Sequence, residues 1–394
     1  MTADASPDDG RLIKPPALAT GEERGASPLE LFFDLAYVLV VAELAAAFSK
    51  QPSLPGVGVF AGVFVVAWWS WVTTTLYANR FASHDVLYRL TKLAMMFAVV
   101  VMAASAGTAT TSHASAFALG YLGTRALTCV LYVRAWRHVA EARPTLSIYL
   151  AAATVGATAW VVSFAFEGSA KFVLWAVGIG VEALAPVAAT RYGADIPLHE
   201  EHLPERFGLL VILVLGESIT GLAIGLHESG WQQTSIVATI IGFLIAAAAG
   251  WVYFDLGAPA AQRQLQNRWN PQGSGTADRY VYGHLPLTFG LALIGVGIEQ
   301  FVIHPQHDPS PTPWILHLGV ALFLIGIGLI VAGTAHTWRA AWPWPTAALP
   351  AVLLITVVAE RAALAAALEV LLLVLLIVAG LWSRARGQKT VAEI

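Results

Sequence analysis

The sequence predicts an all-α fold, a polytopic transmembrane helical bundle of about 12 spans in two like-oriented six-helix halves. Three observations lead there. Of the 394 residues 57% are hydrophobic and only 12% charged, with a mean hydropathy of +0.67; a soluble domain could neither bury that much apolar surface nor cover itself with so few charges. Apolar runs of about 20 residues, the length that crosses a hydrocarbon layer of roughly 30 Å, recur along the chain. Lys and Arg fall overwhelmingly in alternate connections. The net charge of −3 does not suggest a nucleic-acid partner, and the single cysteine, Cys129, excludes a disulfide framework within the chain.

Residues 1–27 mix Asp, Glu, Pro, Gly and bases without an apolar h-region and read as a disordered cytoplasmic tail. The predicted spans run Pro28–Phe48, Val57–Tyr77, Val86–Ala106, Ala114–Ala135, Leu146–Phe166 and Phe172–Thr190 in the first half (28–190). A connecting loop, 191–206, precedes Phe207–Leu226, Ser235–Leu256, Tyr280–Val302, Trp314–Ala335, Thr346–Val358 and Ala362–Trp382 in the second half (207–382). A short cytoplasmic tail, 383–394, follows. With both termini on the cytoplasmic side of the membrane, 17 basic residues fall inside and three outside, Lys50, Lys171 and Arg361; Lys92 and Arg125 lie within spans. Eleven spans would strand the terminal Arg384, Arg386 and Lys389 on the wrong side, which argues for a last hairpin around Glu360 and Arg361.

A faint internal repeat supports the two halves. Leu29-Glu30 opens span one as Pro204-Glu205 opens span seven, with Glu43 and Glu217 further along each helix. Trp71 has its counterpart in Trp251, and Trp136-Arg137 in Trp338-Arg339.

Ionisable side chains inside spans cost at least about 2.5–3.5 kcal/mol and each asks for a reason. Ser27, Pro28 and Glu30 form a capping box, which explains Glu30 without function. Asp34, one turn deeper on the same helical face, is beyond capping; Glu43 lies on the opposite side, so span one should have partners on two sides. Glu217, with Ser218 and Thr220 close by and Gly216, Gly221 and Gly225 admitting a neighbouring helix, is either protonated or paired. It serves either a proton-linked function or an interhelical hydrogen bond. Arg125 needs an anion, with Glu217 and Glu182 as the candidates at its depth. Lys92 is near enough to the cytoplasmic face to snorkel. Arg80 and Asp255 end spans two and eight. His284 precedes Pro286, a pattern that makes either a site or a satisfied kink. His199, His202 and Glu205 have metal-like spacing but read as a solvated polar turn interrupted by Pro204, and His304, His307 and Asp308 read likewise. No metal, cofactor or nucleotide loop is implied.

Two segments carry a family resemblance. Pro28-Leu-Glu-Leu-Phe-Phe-Asp-Leu-Ala-Tyr-Val and His202-Leu-Pro-Glu-Arg-Phe-Gly-Leu-Leu-Val-Ile-Leu-Val-Leu-Gly-Glu-Ser resemble signature stretches of the bacterial low temperature requirement protein A family. Tyr77-Ala-Asn-Arg-Phe and Trp251-Val-Tyr-Phe-Asp are similar to it as well. The resemblance implies a polytopic cell-membrane protein linked by name to growth in the cold. It attaches importance to Glu30, Asp34, Asn79, Arg80, His202, Glu205, Arg206, Glu217 and Asp255.

The residues themselves favour a secondary transporter, with a small solute or ion and membrane lipid as partners and with Asp34, Glu43, Arg125, Glu182, Glu217 and His284 lining the solute or proton pathway. One alternative is a cation channel: Phe32-Phe33-Asp34 resembles the Phe-Ser-Asp motif of two-repeat endosomal potassium channels, although span seven has Phe207-Gly208-Leu209. The others are a lipid-active enzyme or a stress-response scaffold.

Overall fold

The computed structural model describes residues 12–19, 25–83, 85–194, 196, 198–199, 201–259, 262, 275–305, 312–335, 343–359 and 361–392. Within them the chain is a bundle of twelve helices: α1 (Pro28–Lys50), α2 (Leu54–Arg80), α3 (Val86–Ala106), α4 (Ala114–His138), α5 (Arg143–Val162), α6 (Ser169–Tyr192), α7 (His202–Glu228), α8 (Gln233–Trp251), α9 (Gly275–Ile303), α10 (Thr312–Ala335), α11 (Pro343–Val358) and α12 (Ala362–Ala392). Eleven segments are long and apolar enough to cross a membrane. The exception is α11, whose 16 residues rise only about 24 Å. A π-helical turn, Val252–Gly257, continues α8.

Local chemistry sets several helix starts. Ser27 caps α1 with the expected reciprocal box: its side chain accepts from the Glu30 amide while Glu30 accepts from the Ser27 amide. Ser53 and Asp85 cap α2 and α3 by accepting from Gly56 and Tyr88 amides, satisfying donors that lipid would leave bare.

The connecting loop is shorter than the sequence predicts, because α7 begins at His202 rather than after Arg206. Pro204 does not interrupt it. In the first turn of a helix no backbone partner awaits the missing amide, so proline is accommodated there.

Part of the leader that reads as a disordered tail is held in place. Ala17–Leu18 pairs antiparallel with Phe81–Ala82, and the Ala19 amide donates to the Arg80 carbonyl. The Asp85 carboxylate accepts two bonds from Arg134, at 3.0 and 2.6 Å, and one from the Lys14 amide at 3.3 Å. Arg134 also donates to the Lys14 carbonyl.

Helix α9 is the axis of the bundle, with 89% of its most apolar 18-residue window buried and α1, α2, α6, α7, α8 and α10 packed around it. Its contact with α10 is a backbone contact: a Cβ at Gly290 would lie 2.5 Å from the Phe323 amide, and one at Gly326 would lie 2.6 Å from the Leu287 amide. Where lipid offers no hydrophobic drive between helices, such close approach supplies the dispersion that holds them.

Candidate functional site

The polar side chains inside the bundle gather into separate groups. In the first, α1 and α7 bring their opening turns together. Glu30 Oε2 accepts from the Ser27 amide at 2.8 Å and also lies 3.5 Å from His202 Nε2 and 3.7 Å from Arg206 Nη1. Capping and ion pairing are therefore one arrangement in Glu30. Asp34 Oδ1 accepts from Arg206 Nη2 at 2.6 Å and from Trp71 Nε1 at 2.8 Å. Lys92 does not snorkel: it is fully buried, its Nζ 3.9 Å from the centroid of the Phe33 ring and without a hydrogen-bond partner. Two carboxyls, the Arg206 guanidinium and the Lys92 amine thus share one buried volume, which limits the cost of burying any of them.

His202 is also fully buried, so the solvated-turn reading fails for it. Asn79 positions it: the Asn79 carbonyl accepts from the His199 amide at 2.8 Å, its amide donates to the His199 carbonyl at 3.1 Å, and the same amide lies 3.3 Å from His202 Nδ1. Among the described residues no group of three or more His, Cys, Asp or Glu could hold a metal ion. His307 and Asp308, the other metal-like pair with His304, lie outside the described residues. Glu205 is exposed and accepts from the Ala26 amide at 3.1 Å, tethering the end of the leader.

A second group surrounds Arg125, whose partner is Glu182 and not Glu217. Arg125 Nε lies 2.9 Å from Glu182 Oε2, which also accepts from Tyr121 at 2.9 Å and Trp69 at 3.2 Å, while Arg125 Nη1 donates to Thr73 at 2.7 Å. Gly156 makes room for this carboxylate, since a Cβ there would lie 2.5 Å from Glu182 Oε1. A small cavity of about 20 Å³ beside the pair is lined by Trp69, Thr73, Tyr132 and Tyr149 among others. Hydroxyls join this region to α1: Tyr37, one turn beyond Asp34, bonds Ser70 at 2.9 Å, and Ser70 bonds Thr124 at 2.9 Å.

The third group is different. Glu217 packs over Gly295 of α9 and is 8% exposed, yet no described side chain or amide donates a hydrogen bond to its carboxyl. One turn along α9, Glu299 accepts from Ser49, and Gln300 donates to the Ser49 carbonyl at 2.9 Å and hydroxyl at 2.7 Å. Of the glycines read as admitting a neighbour, Gly221 and Gly225 do so, meeting the Gly295 carbonyl and Val302; Gly216 faces open space.

The remaining sequence candidates do not converge with these. Glu43 is exposed on the outside of α1. His284 is a satisfied kink, its Nδ1 donating to the Tyr280 carbonyl at 2.7 Å and its Nε2 within 3.0 Å of the Tyr253 hydroxyl. Arg80 sits with its guanidinium 5.5 Å from the Tyr149 ring, and Asp255 is exposed in the π-helical turn.

Sequence reasoning passed over Glu299 and Gln300, and also the His317–Glu369 pair between α10 and α12. An ionisable residue inside an apolar run is the signal that would have found Glu299, His317 and Glu369. The Asp85–Arg134 pair had no such signal, because each residue stands near a helix end where solvation is ordinary.

A bundle of membrane-length helices enclosing paired charges defines a multi-pass integral membrane protein. The profile of the bacterial low temperature requirement A protein (LtrA) family matches residues 25–380, and the chain belongs to that family. An uncharacterized protein of Rhizobium meliloti (strain 1021) is 30% identical over 321 residues, spanning 77% of this chain and 76% of that one. No solved structure matches the chain. The two segments that carried the resemblance in the sequence are those that meet in the Glu30, Asp34, His202 and Arg206 group.

Proposed function

We propose that the protein is a secondary transporter of a small solute or ion, coupled to protons, with both termini on the cytoplasmic side. The observation that carries this reading is Glu217, a carboxyl near the middle of a membrane-length helix that no described protein group neutralises or bonds. A structural carboxyl in lipid acquires donors, as Glu182 does; one left without them has a partner that comes and goes. A proton is the smallest such partner. The Tyr37, Ser70 and Thr124 hydroxyls offer it a route between the α1 carboxylates and the Arg125 region. The sidedness follows from the Lys and Arg distribution.

Purified protein in liposomes, with a pH-sensitive dye inside and an imposed gradient, should carry protons when substrate is present. Glu217→Gln should abolish that flux without lowering the melting temperature. Flux that survives Glu217→Gln removes the residue from the mechanism, and wild-type liposomes that stay silent in every gradient remove the carrier.

A further inference from the structure

Two clefts open along the seam between α1 and α7. One, of about 270 Å³, has Asp34 at its base between Leu31, Leu35, Leu209 and Leu213. The other, a narrow crevice, has Glu217 at its base between Tyr37, Val41, Leu210 and Leu213. Leu213 lines both, so they adjoin. The rim is exposed and apolar, with Phe32 and Leu35 each 53% and Ile212 51% accessible, which places the opening on the lipid-facing surface. Among the described residues no Lys, Arg or His lines either cleft. Asp34 Oδ1 accepts from both Arg206 and Trp71, while its Oδ2 has no hydrogen-bond partner, and no described group bonds the Glu217 carboxyl.

We propose that this seam binds a lipophilic monocation, such as an organic ammonium, that enters sideways from the bilayer. This deepens the transporter reading by naming its substrate class. An apolar wall open to lipid selects a molecule already dissolved there, and the Glu217 carboxyl, which no described cation meets, selects its charge, at the dielectric where one charge pair matters most; Asp34 is already paired with Arg206. A lipophilic anion meets the same walls and is repelled at the base. A hydrophilic solute gains nothing from Leu31, Phe32 and Leu35.

Tetraphenylphosphonium and tetraphenylborate share shape and differ in sign, so they separate site binding from partition into lipid. Wild-type protein in nanodiscs should bind labelled tetraphenylphosphonium saturably, above empty nanodiscs. Glu217→Gln should weaken that binding about tenfold or more, and Leu213→Trp, which fills the junction and leaves both carboxyls, should weaken it similarly. Tetraphenylborate should not compete. The proposal is overturned if the cation binds no better than to empty nanodiscs, if Glu217→Gln and Leu213→Trp both leave the affinity unchanged, or if the borate binds equally. Saturable binding by the cation without its uptake into liposomes would uphold the seam site and remove the carrier reading instead.

Discussion

Glu182 and Glu217 stand near the middles of their helices, α6 and α7, both more than nine-tenths buried, yet their surroundings are opposite. Glu182 is held by Arg125, Tyr121 and Trp69, whereas Glu217 meets only helix backbone, apolar cleft and, one turn from Gly295, a second carboxyl in Glu299. The difference teaches that burial of a charge in a membrane protein does not by itself mark function. A fixed cation and donors on the carboxylate separate a strut from a vacant acceptor.

The sharpest break of that contrast is at the strut. Arg125→Ala or Glu182→Ala strands its partner as an unpaired buried charge and should cost about 3–5 kcal/mol, read as a large loss of thermal stability in detergent. A loss under about 1 kcal/mol would mean the pair is solvated and not structural. Next comes Gly156→Ala, whose new methyl group would displace the Glu182 carboxylate. It should cost about 1–3 kcal/mol. In a Glu182→Ala background that cost should shrink toward zero, because the clash and the lost pair are one event; an undiminished cost would place the strain elsewhere.

Asp85→Asn tests a pair at the edge of the membrane, where water can reach the freed Arg134, so its penalty should be smaller. Burial opposes ionisation of Asp85, but the two Arg134 bonds and the Tyr88 and Lys14 amides outweigh it and hold the carboxyl below its ordinary value. A lowered folded-state pKa contributes stability that is complete above the unfolded pKa, about 3.9 for Asp, and disappears as pH falls through the folded one. The melting difference between wild type and Asp85→Asn should therefore be constant near neutrality and narrow below about pH 4. A difference that grew with acid would reverse the assignment. The smallest effect belongs to Glu217→Gln, within about 0.5 kcal/mol of wild type, since no bond is lost. A penalty comparable to that of Glu182→Ala would reveal a partner and dissolve the contrast.

Much of the fold was legible in the sequence. Apolar length located eleven membrane-crossing segments, and the predicted span Thr346–Val358 falls in the one described helix too short to cross unaided. The Ser27 capping box was readable because its parts are adjacent along the chain. The site was legible only in outline. Asp34, Arg125, Glu182 and Glu217 stood out as charges in oil, but Glu43 did too and proved peripheral, while Glu299, His317 and Glu369 met the same criterion unnoticed. His202 was misplaced because a proline and two acids beside it look like a loop, and only the packing of Asn79 and Glu30 around it reveals a buried helix start.

The sequence by itself determined that this chain lives in a membrane, which stretches form helices, and that Arg125 must have an anion. Those are one-dimensional demands, set by bilayer thickness and by the cost of a bare charge. Only the tertiary structure decided that the anion is Glu182, that Glu30 and Asp34 share Arg206, and that no described group bonds the Glu217 carboxyl. In a helix apolar on every side, periodicity does not tell the face turned to protein from the face turned to lipid. Partners are then assigned by how closely glycines such as Gly156, Gly221 and Gly295 let particular backbones approach.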